Sequence, residues 1–391
     1  MRKGQMRSGK MRAGRLLAAT LLVMTLGNAA EGRRFAPLEA TVRAAMAKTG
    51  ARGLAIAVVE RGRPVFIRSY GARNAAGAPL DRDTIMYGAS ITKAVFAYTV
   101  MQLVDEGKID LDRPLATYLA KPLPDYGNLD AYGNWGDLAG DDRWQRITAR
   151  MVLTHSTGFA NFSFLEPDGK LKFHFDPGTR YGYSGEGMMM LQFVIEQGLG
   201  LDLGAEMQRR VFDRFGMANT SLIWRADFAR NLADGWKADG SVEPHDERSR
   251  VRAAGSMDTT IDDIAKFAAG FMRGEGVSAA RWAEMIGPHL PITTRSQFPS
   301  LQPEAPATER VAGLAAGLSV ITFNGPQGPG FFKGGHNDST ANMWVCLKRS
   351  ARCVIILSND VRAEREFPTL VRASLGETGM PWGWEYGTSI K

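Results

Sequence analysis

The feature that most constrains the fold is an apolar run at residues 94–104, with the sequence AVFAYTVMQLV. A helix that is apolar on every side is expected to lie inside the molecule rather than on its surface. Gly107 follows the run and is expected to end the helix, because glycine readily takes the left-handed conformation found after a helix C-terminus. We therefore expect the chain to fold around this helix.

The Ser-x-x-Lys sequence of the chain, Ser90-Ile91-Thr92-Lys93, lies at the start of this helix. Residues three apart share a helix face, so the Ser90 hydroxyl and the Lys93 amine should point into the same space. Burial favours the neutral amine, which would be a base beside a nucleophile. The backbone N–H of Ser90 is a candidate donor to an oxyanion. A surface serine and lysine on an ordinary helix is the alternative, and the apolar surroundings argue against it.

The first thirty residues have the pattern of a secretory signal peptide. They carry six basic residues and no acidic one, then an apolar run at 16–26 that is too short to span a membrane. We expect cleavage near Ala29 or Ala30, a periplasmic or secreted protein, and no stable membrane anchor once the leader is removed.

Removing the leader also changes the charge of the protein. The whole chain has 48 basic and 41 acidic residues, a net charge of +7, and without the six leader bases 42 face 41. The mature protein is therefore expected to be almost neutral overall, which gives no reason to expect a nucleic-acid or anionic-membrane partner. The oligomeric state is left open.

Cys346 and Cys353 are the two cysteines of the sequence, and they flank six residues predicted to turn between two apolar strands. Export to an oxidising compartment allows a disulfide, and two buried thiols are an equally open alternative. Two cysteines and five scattered histidines make no metal-ligand pattern, so we expect neither a metal nor another cofactor.

Strands are predicted near both ends of the chain, with helices between them. The predicted strands are at 53–59, 64–70, 318–323, 331–334, 341–347 and 353–357. This order predicts an α/β (α+β) fold with one antiparallel sheet, built from both chain termini and flanked by helices, plus an all-helical lobe. The expected division is a signal peptide at 1–30, a sheet subdomain at 31–110 and 250–391, and a helical subdomain at 111–249.

A long loop at 122–145 lies in the predicted helical subdomain. It is rich in Gly, Asp, Asn and aromatic residues and has no period, which is typical of a binding or active-site wall. Its four aromatic residues could line a cleft, but packing of the loop onto the body is favoured. They are Tyr126, Tyr132, Trp135 and Trp144.

Two further side chains are candidates with a structural alternative. His155 could be imagined as a catalytic base, but no carboxylate lies at a telling spacing, so a structural, hydrogen-bonded histidine is favoured. Glu186 is expected to cap the helix that follows it rather than to titrate in catalysis.

Five segments, in this order along the chain, resemble the serine β-lactamase and penicillin-binding-protein superfamily, specifically its class C-like branch of β-lactamases, D,D-peptidases and secreted esterases. They are Ser-x-x-Lys at 90–93, ITARMVLTHSTGF at 147–159, PGTRYGYSGEG at 177–187, AAGSMDTTIDDIAKF at 253–267 and Lys333-Gly334-Gly335. The resemblance covers roughly residues 35–375. It implies a sheet with helices on both faces plus an all-helical lobe.

The resemblance also implies roles for single residues. Ser90 would attack a carbonyl and lose its proton to Lys93 or to a Tyr183 phenolate, which needs nearby positive charge. The oxyanion would take N–H bonds from Ser90 and His336, and Lys333 would hold a substrate carboxylate. Water activated by Tyr183 would release the acyl group. The alternatives are a core aromatic for Tyr183 and a plain strand-edge charge for Lys333.

Gly185 departs from the pattern of the resembled family, which has an asparagine at this position that contacts the lysine and the substrate amide. A glycine has no side chain for either contact. The resemblance thus implies substrate contacts at Lys333, Gly334, Gly335 and position 185. It keeps the acyl chemistry but no longer supports recognition of an acylamido group.

We therefore expect an exported serine hydrolase that forms a covalent acyl-enzyme on Ser90 and hydrolyses a cyclic amide such as a β-lactam. A carboxylesterase for short acyl esters is the second possibility, and a D,D-peptidase the third. A protein that penicillin acylates, acting as a sensor or binding module, is the non-enzymatic alternative. The expected partner is a small-molecule or peptidoglycan-derived substrate.

Overall fold

The computed structural model describes residues 33–387 of the chain. The predicted signal peptide, residues 1–30, therefore lies outside the described residues. The strands of the described part are β1 Gly53–Glu60, β2 Arg63–Gly71, β3 Met86–Tyr87, β4 Asn128–Leu129, β5 Gly133–Asn134, β6 Gly235–Trp236, β7 Val242–Glu243, β8 Asp258–Thr259, β9 Leu290–Pro291, β10 Ala315–Ala316, β11 Ile321–Gly325, β12 Gly328–His336, β13 Ala341–Leu347 and β14 Arg352–Ser358.

The α-helices lie before, between and after these strands, with 3₁₀ and π turns joining some of them. They are α1 at 33–49, α2 Ile91–Asp105, α3 Ala149–Leu153, α4 Gly185–Phe193, α5 Leu203–Met207, α6 Asp213–Phe215, α7 Ile261–Met272, α8 Ala279–Met285, α9 Phe367–Leu375 and α10 Trp382–Tyr386. Within residues 33–387, none of the helices is long and apolar enough to cross a membrane.

One eight-stranded sheet organises the molecule, in the order β2-β1-β14-β13-β12-β11-β10-β9. Every neighbouring pair in it is antiparallel. β1 and β14 are neighbours although some 290 residues separate them along the chain. The predicted antiparallel sheet built from both ends of the chain is thus confirmed, whereas the subdomain boundaries stay a prediction.

Both faces of the sheet are covered. Alternate residues of β1 belong to two different hydrophobic clusters: Ala55 and Ala57 face the cluster that contains α2 and α7, and Leu54 and Ile56 face the one that contains α1 and α9. Because successive side chains of a strand point to opposite faces, the central strands are apolar throughout. The α+β fold predicted from the sequence is confirmed.

The central helix α2 is enclosed as predicted. Every residue from Ile91 to Val104 is buried, and Gly107 has a positive φ of 69° just after the helix. α2 lies against α8 and α5 and against strands β12 and β13. The start of α2 lies close to β12, the strand that carries Lys333, because a Cβ added at Gly335 would lie 2.9 Å from the Ser90 nitrogen.

The 122–145 loop packs onto the helical part of the molecule. The rings of Tyr126, Tyr132 and Trp135 lie 5.0, 5.1 and 5.8 Å from the ring of Phe193, centroid to centroid. Trp135 is fully buried, and Trp144 is also buried. The aromatic residues thus hold the loop to the body, as favoured, and do not line the cavity beside Ser90.

Cys346 and Cys353 form a disulfide, so the alternative of two buried thiols is wrong. They lie directly opposite each other in β13 and β14.

The 287–310 segment, which has no periodicity in the sequence, contains strand β9 at the edge of the sheet.

Candidate active site

A cavity of about 580 Å³ opens beside the N-terminal end of α2 and strand β12. Its lining contains most of the side chains predicted from the sequence motifs. They are Ser90, Lys93, Tyr183, Lys333, Gly334, Gly335 and His336. Within residues 33–387, no His, Cys, Asp and Glu residues are grouped so that they could hold a metal ion.

Ser90 and Lys93 are joined by a hydrogen bond. The Lys93 Nζ lies 2.9 Å from the Ser90 Oγ and also bonds the carbonyl oxygen of Ala254. Lys93 is 1% exposed, and burial, aided by the charge of Lys333, holds its pKa well below its usual value. A neutral amine can accept a proton, so the geometry provides a base beside the hydroxyl.

The backbone around Ser90 is tightly set. Ala89, just before it, has a positive φ of 46°, a backbone conformation that residues other than glycine seldom adopt. A Cβ added at Gly335 would lie 2.9 Å from the Ser90 backbone nitrogen, so only glycine allows β12 to pass this close. The backbone nitrogen of Ser90 therefore lies close to Gly335 of β12. The next residue of this strand, His336, is the second predicted oxyanion donor, and that role stays a prediction.

Tyr183 lies between the two lysines. The Nζ atoms of Lys93 and Lys333 are each 5.1 Å from the centre of its ring, and Lys333 donates a hydrogen bond of 3.4 Å to its Oη. Burial raises the pKa of Tyr183, and the hydrogen bond with Ser90 only partly offsets this. Because burial favours the neutral form of Lys93, the phenolate weighed from the sequence would lack one of its two positive neighbours. The structure favours a neutral phenol.

His155 packs against Tyr183 and is not among the residues that line the cavity. Its ring centre lies 4.4 Å from that of Tyr183, and its Nδ1 accepts the backbone N–H of Ser184 at 3.2 Å. Burial and the charges of Lys333 and Lys93 hold the pKa of His155 well below its usual value, so the ring is neutral. A hydrogen-bonded structural histidine, as favoured from the sequence, describes these contacts.

Gly185 lies at the start of α4 and under an aromatic ring. A Cβ added there would lie 2.4 Å from the Phe162 ring and 3.1 Å from the Asn161 carbonyl oxygen. Gly185 itself is buried and is not among the residues that line the cavity, whereas Phe162 and Asn161 are. The contact between Gly185 and Phe162 could not be predicted from the sequence, because Phe162 belongs to none of the motifs.

Glu186 does not cap its own helix, so that prediction was wrong. The cap of α4 is Ser184, whose side chain accepts the N–H of Gly187. The Glu186 carboxylate instead accepts the backbone N–H of Ser163 at 2.7 Å. It thereby fixes the segment that carries Phe162, which shapes the cavity.

Glu385 and Gln297 are among the cavity residues that lie outside the sequence motifs. Glu385 comes from α10, and Gln297 from the loop before β10. A five-residue helix and an irregular loop leave no periodic pattern, so only the folded structure shows that Glu385 lies near Lys333 and that Gln297 donates to Glu385.

Comparisons with known proteins agree on one family. A protein-family model described as Beta-lactamase matches residues 38–376. The chain is 27% identical over 201 residues to lovastatin esterase of Penicillium rubens, which is 44% of this chain and 50% of that protein. It is 25% identical over 198 residues to esterase EstB of Burkholderia gladioli, which is 43% of this chain and 47% of that protein. The chain thus spans about half the length of these curated relatives.

Solved structures show the same fold. A class C beta-lactamase is 15% identical with a TM-score of 0.68, over 88% of this chain and 96% of that one. The octameric penicillin-binding protein homologue from Pyrococcus abyssi is 19% identical with a TM-score of 0.68, over 88% of this chain and 77% of that one. At these identities the likeness establishes the architecture and leaves the reaction to the residues of the site.

Proposed function

Because the chain belongs to the beta-lactamase family, we propose that it is a serine hydrolase that forms a covalent acyl-enzyme on Ser90. The family match confirms the resemblance to the serine β-lactamase and penicillin-binding-protein superfamily. One observation carries the proposal: the Ser90 hydroxyl is hydrogen-bonded to a buried Lys93 amine in a cavity that also holds Tyr183 and Lys333.

The proposed reaction starts with proton transfer from the Ser90 Oγ to the neutral Lys93 amine. The oxygen attacks the substrate carbonyl, and the tetrahedral oxyanion accepts the N–H of Ser90 and that of His336. Collapse breaks the bond to the leaving group, which takes the Tyr183 hydroxyl proton; Tyr183 regains a proton from the Lys93 ammonium. Water then attacks the acyl-enzyme, giving its proton to Lys93, and Ser90 is released with its proton restored.

We propose an ester with a short apolar acyl group as the substrate. Phe162 occupies the space beside Gly185 and stacks on Phe164, 5.1 Å away between ring centres, and both rings line the cavity. Two aromatic rings suit an apolar acyl chain and offer no amide to an acylamido group. We therefore rank esterase activity above the β-lactam hydrolysis expected from the sequence.

Hydrolysis of a β-lactam is the second candidate. It is favoured by the strand Lys333-Gly334-Gly335, which runs past Ser90 as the resemblance implies, with the Lys333 amine inside the cavity. Asn161 also lines the cavity, and its side-chain oxygen accepts the N–H of Gly185 at 3.0 Å. A D,D-peptidase and a protein merely acylated by penicillin share the same first step.

A parallel assay separates these candidates. The mature protein is offered 4-nitrophenyl butyrate and a chromogenic cephalosporin, with Ser90→Ala as the test variant and Ser241→Ala, on an exposed loop, as the matched control. We expect ester turnover that falls by a factor of at least roughly 10³ in Ser90→Ala and is unchanged in Ser241→Ala.

The other results have distinct meanings. Faster turnover of the cephalosporin than of the ester would favour the β-lactamase. A stable mass adduct on Ser90 without product would indicate a sensor. Equal activity of Ser90→Ala and wild type would contradict the mechanism.

A further inference from the structure

A carboxylate from the C-terminal helix enters the cavity outside all the sequence motifs. Glu385 of α10 is 3% exposed and lines the cavity beside Lys333 and Gly334. A Cβ added at Gly334 would lie 2.2 Å from the Glu385 Oε1. The carboxylate therefore rests directly on strand β12, in space that any side chain at position 334 would fill.

Other residues hold this carboxylate in place. Gln297 donates from its Nε2 to the Glu385 Oε2 at 2.8 Å, and its own Oε1 accepts the Tyr181 hydroxyl at 2.9 Å. The backbone N–H of Gln297 also donates to the Trp384 carbonyl oxygen at 2.9 Å. Glu385 is thus a fixed part of the cavity wall, and its position does not depend on a flexible surface side chain.

The charges around Glu385 oppose one another. Lys333 and His336 are its positive or titratable neighbours, and Glu364, which pairs with His336 at 3.2 Å, is the other acid. Burial raises the pKa of Glu385 to about 7, an effect that the Lys333 charge opposes. Burial lowers the pKa of Lys333 to about 8, which Glu385 opposes in turn. Each group therefore stabilises the charged form of the other, and the charges of a Glu385 carboxylate and a Lys333 ammonium cancel.

We propose that Glu385 is a specificity-determining residue that cancels the charge of Lys333 and restricts the enzyme to substrates with a neutral leaving group. A carboxylate held by Lys333 would lie beside a fixed carboxylate in a pocket that is poorly screened, and like charges placed together there repel strongly. The inference rests on the proposed function, since only a hydrolase has a leaving group. It replaces the expectation that Lys333 receives a substrate carboxylate.

The test compares two esters of similar shape, neutral 3-carbamoylphenyl butyrate and anionic 3-carboxyphenyl butyrate, at the same neutral pH. Wild type should prefer the neutral ester in kcat/KM. Glu385→Gln keeps the shape of the side chain and an acceptor for Gln297, and should shift the ratio about tenfold towards the charged ester. Glu377→Gln is the matched control, because Glu377 is an exposed carboxylate in the same C-terminal segment.

An unchanged ratio in Glu385→Gln, with the wild-type melting temperature, would overturn the inference. A second measurement needs no turnover: calorimetric binding of both esters to Ser90→Ala and to Ser90→Ala/Glu385→Gln. The double variant should lose the preference for the neutral ester, and equal preferences in the two proteins would overturn the inference. Absence of hydrolysis by wild type, with the binding preference retained, would overturn the proposed function alone.

Discussion

At the scale of single residues, Lys93 is the most unusual group of the cavity. Its amine bonds a hydroxyl and a carbonyl oxygen, and no carboxylate among residues 33–387 pairs with it. A buried lysine in such surroundings is more easily neutral than charged. In the unfolded chain the same amine has a pKa near 10.5, so folding has to remove a proton.

This predicts how stability depends on pH. Between the lowered pKa of Lys93 in the folded protein and about 10.5, the unfolded chain binds one more proton than the folded protein, so stability rises with pH. Relative to Lys93→Met, the free energy of unfolding of wild type should rise by up to about 1.4 kcal/mol per pH unit in this window. Urea unfolding of both proteins at several pH values measures the difference.

The matched control is Lys170→Met, which removes an exposed amine in a loop. Its stability relative to wild type should change little over the same pH range. A pH-independent difference between wild type and Lys93→Met would mean that Lys93 keeps its proton in the folded protein.

The sequence allowed some of the site to be predicted, and the reason is local. Ser90 and Lys93 are three residues apart on one helix, and the positions of Tyr183 and Lys333 followed from short motifs. Glu385 could not be found in this way, since it meets Lys333 only through the packing of a short helix on a loop. A carboxylate that is distant along the chain forms no short motif with Lys333.

At the scale of elements, the disulfide joins two central strands of the sheet. Cys346 and Cys353 are paired across β13 and β14, and both are fully buried. The bond closes a short loop of the unfolded chain, for which loop-closure entropy predicts a stabilisation of about 2–3 kcal/mol. Cys346→Ala/Cys353→Ala should lose about that much in urea unfolding and keep its ester hydrolysis, because neither residue lines the cavity.

Reductant provides the control for this prediction. Wild type whose disulfide has been reduced should unfold at a urea concentration close to that of the double variant. The native protein should resist reductant, because the sulfur atoms are inaccessible. If the double variant were as stable as oxidised wild type, the bond would contribute nothing to the sheet.

Long elements with a clear pattern were predicted, and short ones were not. The apolar run of α2 and the alternating or fully apolar runs of β1, β13 and β14 appear close to the predicted bounds. Strand β12 extends beyond the predicted 331–334 at both ends, because its glycine-rich termini have no strand signature. β9 and β10 have two residues each and take their conformation from their neighbours in the sheet.

At the scale of the whole molecule, we propose that the protein is exported and cleaved near Ala29 or Ala30. The basic and apolar pattern of the first thirty residues supports this proposal, as does a disulfide at the centre of the sheet. The full chain expressed in a Gram-negative bacterium should yield a periplasmic protein whose N-terminal sequence begins close to residue 31. Leu21→Arg/Leu22→Arg, which breaks the apolar run, should keep the full-length chain in the cytoplasm; an uncleaved periplasmic chain from wild type would contradict the proposed cleavage.

The pairing of β1 with β14 has a consequence for the order in which the protein becomes active. During synthesis, the helix α2 that follows Ser90 is made long before strand β12, which carries Lys333. The pairing of β1 with β14 can form only after residue 358 has been made. We therefore expect incomplete chains, and chains that proteolysis has shortened by the last third of the sequence, to be unreactive at Ser90. The order of the strands along the chain thus determines when the site can be completed.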